Sequence, residues 1–273
     1  MADDMETKLA ASSESVVLHE VRDDGVGILT LNRPDRMNAW TGELETRYFS
    51  LLEDFDRSND VRAIVVTGAG RGFCPGADMD LLQGLGSGGE SLAAAERKPV
   101  TFPLTVRKPL IGAINGACAG VGFVQALMFD VRFAAAGAKF TFAFARRGLI
   151  AEYGSSWLLP RLVGMSKALD LMLSSRTFTA EEALELGIVN YVVPKEEILD
   201  AAVAYAADLA ANCSPTSMAV MKQQLYGHAL VDIDTALAES NKLMRESLGR
   251  EDFKEGVKSY VEKRPPAFQP LGE

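Results

Sequence analysis

Hydrophobic and polar positions follow two rhythms along this chain, a strand-like one early and a helical one late. Residues 15–32 alternate (Val17, Leu18, Val21, then Val26, Ile28, Leu29 and Leu31) around Asp23-Asp24-Gly25, which predicts a β-hairpin. Asn32-Arg33-Pro34-Asp35 breaks it. From Thr41 to Asn59 the apolar residues Leu44, Tyr48, Leu51, Leu52 and Phe55 recur at helical spacing, with Thr41 as N-cap. Residues 63–67, 110–114 and 131–135 are apolar runs of the kind a sheet buries on both faces, and 122–129 reads as a helix. Beyond Ser156 helical patterns dominate: 157–163, 166–173, 180–186, 196–212, 215–227, 232–248 and about 251–263, ahead of Pro265-Pro266. Strand–helix alternation followed by helices predicts an α/β fold with a parallel-sheet core. The organisation expected is a loose tail at 1–14, a core at 15–205 and a helical region at 206–273. Residues 84–101, with Gly-Ser-Gly-Gly and a charged patch, read as a mobile insert over a ligand.

Composition narrows the function classes. The 273 residues are 48% apolar and 24% charged, enough for a sizeable core. A net charge of −9 with no basic run argues against a nucleic-acid surface. The uncharged stretch from Pro109 to Phe129 carries Gly112, Gly116 and Gly120, but Pro109, Asn115 and Gln125 suit a buried strand, turn and helix better than a membrane span. The acidic N-terminus has no apolar signal core. Cys74, Cys118 and Cys213 lack metal-ligand spacing, so no metal site and a reduced, cytoplasmic setting are expected. Neither His19 nor His228 lies where a Ser-His or Cys-His triad would need it.

The chemistry concentrates in two glycine-containing loops, Phe73-Cys74-Pro75-Gly76-Ala77-Asp78 and Asn115 to Gly122, each between a strand-like and a helix-like run. Facing each other, such loops can aim two backbone N–H groups at one oxygen, which stabilises a thioester enolate. The dinucleotide alternative in 65–72 is weak, because its glycines are loosely spaced and Pro75 stands where a phosphate-binding helix should run. Tyr191 and Lys195 have a dehydrogenase spacing, but Pro194 interrupts any helix there.

Several stretches in order resemble the enoyl-CoA hydratase/isomerase (crotonase) superfamily: Leu31-Asn32-Arg33-Pro34 with Asn38-Ala39, residues 72–78, Lys108-Pro109 leading to Asn115-Gly116, Gly148-Leu149-Ile150, residues 159–164, Gly187-Ile188-Val189, and Glu262-Lys263-Arg264. The resemblance covers about 15–268. It implies a spiral of ββα units with a helical C-terminal trimerisation region, assembled as trimers or dimers of trimers, and an acyl-CoA thioester as partner. No cofactor beyond the substrate's own CoA is implied. Its oxyanion-hole amides fall on Ala77 and Val121. The two hydratase glutamate positions hold Val124 and Phe144, which cannot orient water. The single acid of the enoyl-CoA isomerase branch matches Glu152. A double-bond isomerase is therefore expected, with an enoyl-CoA hydratase or a non-catalytic acyl-CoA binder as alternatives. The resemblance further implies substrate contacts at Asp78, Met79 and Gly120, CoA contacts at Arg36 and Lys263, and an apolar wall of Phe142, Phe144, Tyr153 and Trp157.

Overall fold

The hairpin opens the main sheet, and every later strand of that sheet is laid down in parallel. A computed structural model describes residues 15–86 and 98–272. β1 (Val17–Val21) pairs antiparallel with β2 (Val26–Leu31), and β2 pairs in parallel with β3 (Ala63–Gly68). β4 (Leu110–Ile114), β6 (Val131–Ala135) and β9 (Tyr191–Val193) extend the same sheet in the order β1-β2-β3-β4-β6-β9. A second sheet joins the short strands β5 (Cys118–Ala119), β7 (Lys139–Thr141) and β8 (Phe178–Thr179). After β4 the chain makes β5 and then helix α3 (Gly120–Leu127). After β6 it makes β7 and then α4 (Ser155–Val163) and α5 (Met165–Ser174). These are the ββα turns of a spiral.

The inner strands β3 and β4 are buried along their whole length, so they show apolar runs where a half-exposed strand would alternate with polar residues. Leu29, Leu31, Ile64, Val66, Leu110 and Ile114 face one side, where α1 (Gly42–Arg57) packs. Val26, Ile28, Ala63, Val65, Ile111 and Ala113 face the other, against Ile198, Ala202, Val203 and Ala206 of α7 (Ile198–Asn212). The small residues of α7 let it lie close on the sheet, and the expected boundary at 205 falls inside this helix. The remaining helices are α2 (Met79–Gly86), α6 (Ala180–Glu185), α8 (Pro215–His228), α9 (Ile233–Leu248) and α10 (Glu251–Glu262).

The tail at 1–14 and residues 87–97 of the expected insert lie outside the described residues; residues 84–86 belong to α2. Among the described residues, no helix is long and apolar enough to cross a membrane. Thr41 caps α1 as its sequence predicts, accepting from the Leu44 N–H at 3.2 Å.

Candidate active site

Asn38 organises the first glycine loop. Its side chain is fully buried, and Nδ2 donates to the carbonyls of Ala69 (3.0 Å), Gly72 (2.9 Å) and Phe73 (3.1 Å). Oδ1 accepts the Arg33 N–H at 2.9 Å. Past that anchor, the loop is zipped to β5: Cys74 N–H donates to Ala117 O at 3.1 Å, and Ala119 N–H to Cys74 O at 2.8 Å. On its other edge Trp40 clamps it, donating to Gly76 O at 2.8 Å and accepting from Asp78 N–H at 3.0 Å. Ala77 lies between those two bonds, and its own N–H has no acceptor among the described residues.

The second loop enters α3 without a side-chain cap, and the N–H of Val121, in its first turn, has no acceptor among the described residues. The loops touch where each has a glycine. Gly76 has φ +106°, and a Cβ there would come within 3.2 Å of Ala119 O. A Cβ on Gly122 would sit 2.5 Å from Cys74 Sγ, so only glycine lets α3 approach this closely.

Ala77 and Val121 both line a cavity of about 1130 Å³, and Glu152 lines it too. The turn that presents Glu152 is tight: Tyr153 (φ +55°) and Gly154 (φ +78°) are left-handed, and Ser155 N–H returns to Glu152 O at 2.9 Å. The Glu152 carboxyl has no hydrogen-bond or ion-pair partner among the described residues. Burial pushes it above the ordinary glutamate value. Two free N–H donors and a desolvated, unpaired carboxyl around one cavity can hold developing negative charge and carry a proton.

Of the other expected site residues, Arg36, Asp78, Met79, Gly120, Phe144 and Tyr153 line this cavity, as does Phe142. Asp78 is occupied elsewhere. Its Oδ2 holds Arg33 at 2.9 Å and its Oδ1 accepts the Asp80 N–H at 3.1 Å. Burial alone would raise the Asp78 carboxyl, but the Arg33 hydrogen bond and the Asp80 N–H outweigh it and hold it below the usual aspartate range. Arg36 is exposed and 3.5 Å from Asp80.

Two expected residues are not brought to the cavity. Trp157 is already inside α4, and its ring faces the Arg161 guanidinium at 3.7 Å, one turn along the same helix. Lys263 ends α10 in a left-handed cap and is exposed away from this lining. Of the two hydratase positions, Phe144 forms cavity wall, whereas Val124 is fully buried in the core. A nucleophilic thiol is disfavoured: burial pushes Cys74 up to about 12 and Cys118 well above its ordinary value.

The sequence reading missed Glu45, Trp40 and Arg147, which also line the cavity. Glu45 left a signal, because it interrupts the apolar face that Tyr48 and Leu52 continue. Arg147 left none beyond being basic.

The match to the model of the enoyl-CoA hydratase/isomerase family runs over residues 21–270. The chain belongs to that family. It is 36% identical over 250 residues to a 1,2-epoxyphenylacetyl-CoA isomerase of Escherichia coli, covering 89% of this chain and 95% of that one. Among solved structures, the enoyl-CoA hydratase EchA12_1 of Mycobacterium marinum shares 49% identity at TM-score 0.69, covering 80% of this chain and all of that one. An enoyl-CoA hydratase from Polaromonas superposes with TM-score 0.87 at 27% identity, covering 93% and 99%. The protein is thus an enzyme of the enoyl-CoA hydratase/isomerase family with the crotonase fold.

Proposed function

We propose that this enzyme moves the double bond of a 3-enoyl-CoA into conjugation with the thioester, using Glu152 as a one-base shuttle. The observation that carries this reading is the common cavity of Glu152 and the two unpartnered amides. The amides of Ala77 and Val121 form an oxyanion hole for the thioester oxygen, and the positive end of α3 adds to it. Glu152 removes a proton from the α-carbon, which leaves a dienolate, and returns it to the γ-carbon. No water has to be held, which fits the apolar Val124 and Phe144. The E. coli relative is named as an isomerase of an acyl-CoA, in keeping with the same reading. No cofactor beyond CoA is required.

CoA lies against the Arg36 side of the cavity, and Arg147, exposed and without an ion pair among the described residues, is a second basic contact. The chain assembles as a trimer or a dimer of trimers through α8–α10, which expose Met221, Leu225, Ile233, Leu237 and Tyr260. Lys263 acts at a neighbouring subunit's cavity.

Hydration is the second reading, favoured by the names of the M. marinum and Polaromonas relatives. Incubation with 3-enoyl-CoA and, separately, with 2-enoyl-CoA decides. A gain of conjugated-thioester absorbance from the first supports the shuttle. Loss of that absorbance from the second, with none gained from the first, replaces isomerase with hydratase.

A further inference from the structure

One carboxyl group in the cavity wall has no part in the proton shuttle. Glu45 sits in the first turn of α1, on the face that also carries Tyr48, Phe49 and Leu52, and is 7% exposed. It lines the same cavity as Ala77, Val121 and Glu152, but from an element that supplies no reacting group. Its Oε2 accepts the Trp40 indole N–H at 3.0 Å, which fixes the side chain in place. No described residue donates to its other oxygen, Oε1.

The basic residues of the cavity do not neutralise it. Lys98 is 2.6 Å from Glu53, Arg36 pairs with Asp80, and Arg147 makes no ion pair among the described residues. Glu45 is therefore an acceptor built into the apolar face of a helix, at the lining of the ligand space, with one oxygen that no described residue satisfies. A hydrocarbon tail packed there would strip water from Oε1 and return nothing, whereas an O–H or N–H on the tail would replace that water.

We propose that Glu45 is a specificity-determining residue that selects acyl-CoA thioesters whose acyl tail bears a hydrogen-bond donor, a hydroxyl foremost, beyond the carbons that exchange the proton. This inference rests on the acyl-CoA reading of the cavity but not on the isomerase step. Trp40 supports it twice, because its indole orients Glu45 while its backbone clamps residues 76 and 78. Acyl recognition and the loop bearing the Ala77 amide thereby share one residue.

Saturated acyl-CoAs cannot react, so their affinity tests this apart from catalysis. Titration calorimetry would compare octanoyl-CoA with hydroxyoctanoyl-CoAs whose hydroxyl is walked outward from the fifth carbon. One position is expected to bind about tenfold more tightly than octanoyl-CoA. Glu45→Leu should reverse that order. Glu45→Gln should keep Trp40 satisfied through its amide oxygen, turn an N–H toward the tail, and shift preference from the hydroxyl to the corresponding oxo compound. The proposal is overturned if no hydroxyl position is preferred by the native enzyme. It also falls if Glu45→Gln or Glu45→Leu weakens every ligand equally, as contact with the shared CoA portion or a purely structural role would. Absence of binding by octanoyl-CoA and all its derivatives would instead remove the acyl-CoA reading itself.

Discussion

At the scale of single residues, Glu152 is costly to fold and useful when charged. Its carboxyl is held above the ordinary glutamate value of 4.5 by burial alone. A carboxyl raised in the folded state stabilises most below its unfolded value, and that contribution is lost as pH rises through the folded value. At neutral pH the native enzyme therefore carries a penalty that a neutral side chain lacks. Glu152→Gln is expected to raise the melting temperature at pH 7, with the difference disappearing below about pH 4.5. The same substitution should lower isomerisation by roughly 10²- to 10⁴-fold and leave acyl-CoA affinity nearly intact. Undiminished turnover by Glu152→Gln would end the proposed shuttle. The acid limb of the native kcat/KM–pH profile should lie above 4.5, since in the proposed shuttle only the ionised carboxyl takes a proton. The sequence exposed this residue through its motif, but not its lack of partners. Absence of a partner is a property of the surrounding space, and no local pattern encodes it.

At the scale of elements, two devices set where the Ala77 and Val121 amides lie. The first is Asn38, which satisfies three carbonyls of residues 69–73 and sits at φ +65°, a conformation that asparagine tolerates better than alanine. Asn38→Ala should cost about 3 kcal/mol in urea unfolding, because buried carbonyls lose their donor and the backbone gains strain. The second is the contact of Gly122 with Cys74. Gly122→Ala would push α3 and the first loop apart, at about 1–3 kcal/mol of stability. Its kcat should fall with KM little changed, because in the proposed mechanism the amides grip the oxygen most strongly in the transition state. An unchanged kcat would mean that the loops' spacing does not govern the reaction. The long elements were legible, since α1, β3, β4, α3 and the helices after Ser155 each carry a full period of apolar residues. The strands β5, β7 and β8 were not, being only two or three residues long and defined by pairing with one another across long stretches of sequence.

At the scale of the whole molecule, α8, α9 and α10 carry large apolar side chains that an ordinary monomer surface would cover. Leu225, Ile233 and Tyr260 are 77%, 79% and 86% exposed. Sedimentation of the native protein is expected to show a trimer or hexamer, and Leu225→Glu with Ile233→Glu should dissociate it. A monodisperse native monomer would rule the assembly out. A supporting result would be a weaker CoA affinity in the dissociated protein, because the proposed Lys263 contact crosses between subunits.

The order and spacing of short motifs determined the fold family and the two amide-bearing loops, and singled out Glu152, because those features depend on neighbours along the chain. Apolar periodicity did the same for the two-sided burial of the sheet. Folding alone decided that Asp78 is committed to Arg33 and that Glu45 lines the ligand space. Each of those outcomes depends on which distant residue reaches a side chain first. A helical period fixes the face a residue occupies, but what meets that face is set by elements many residues away.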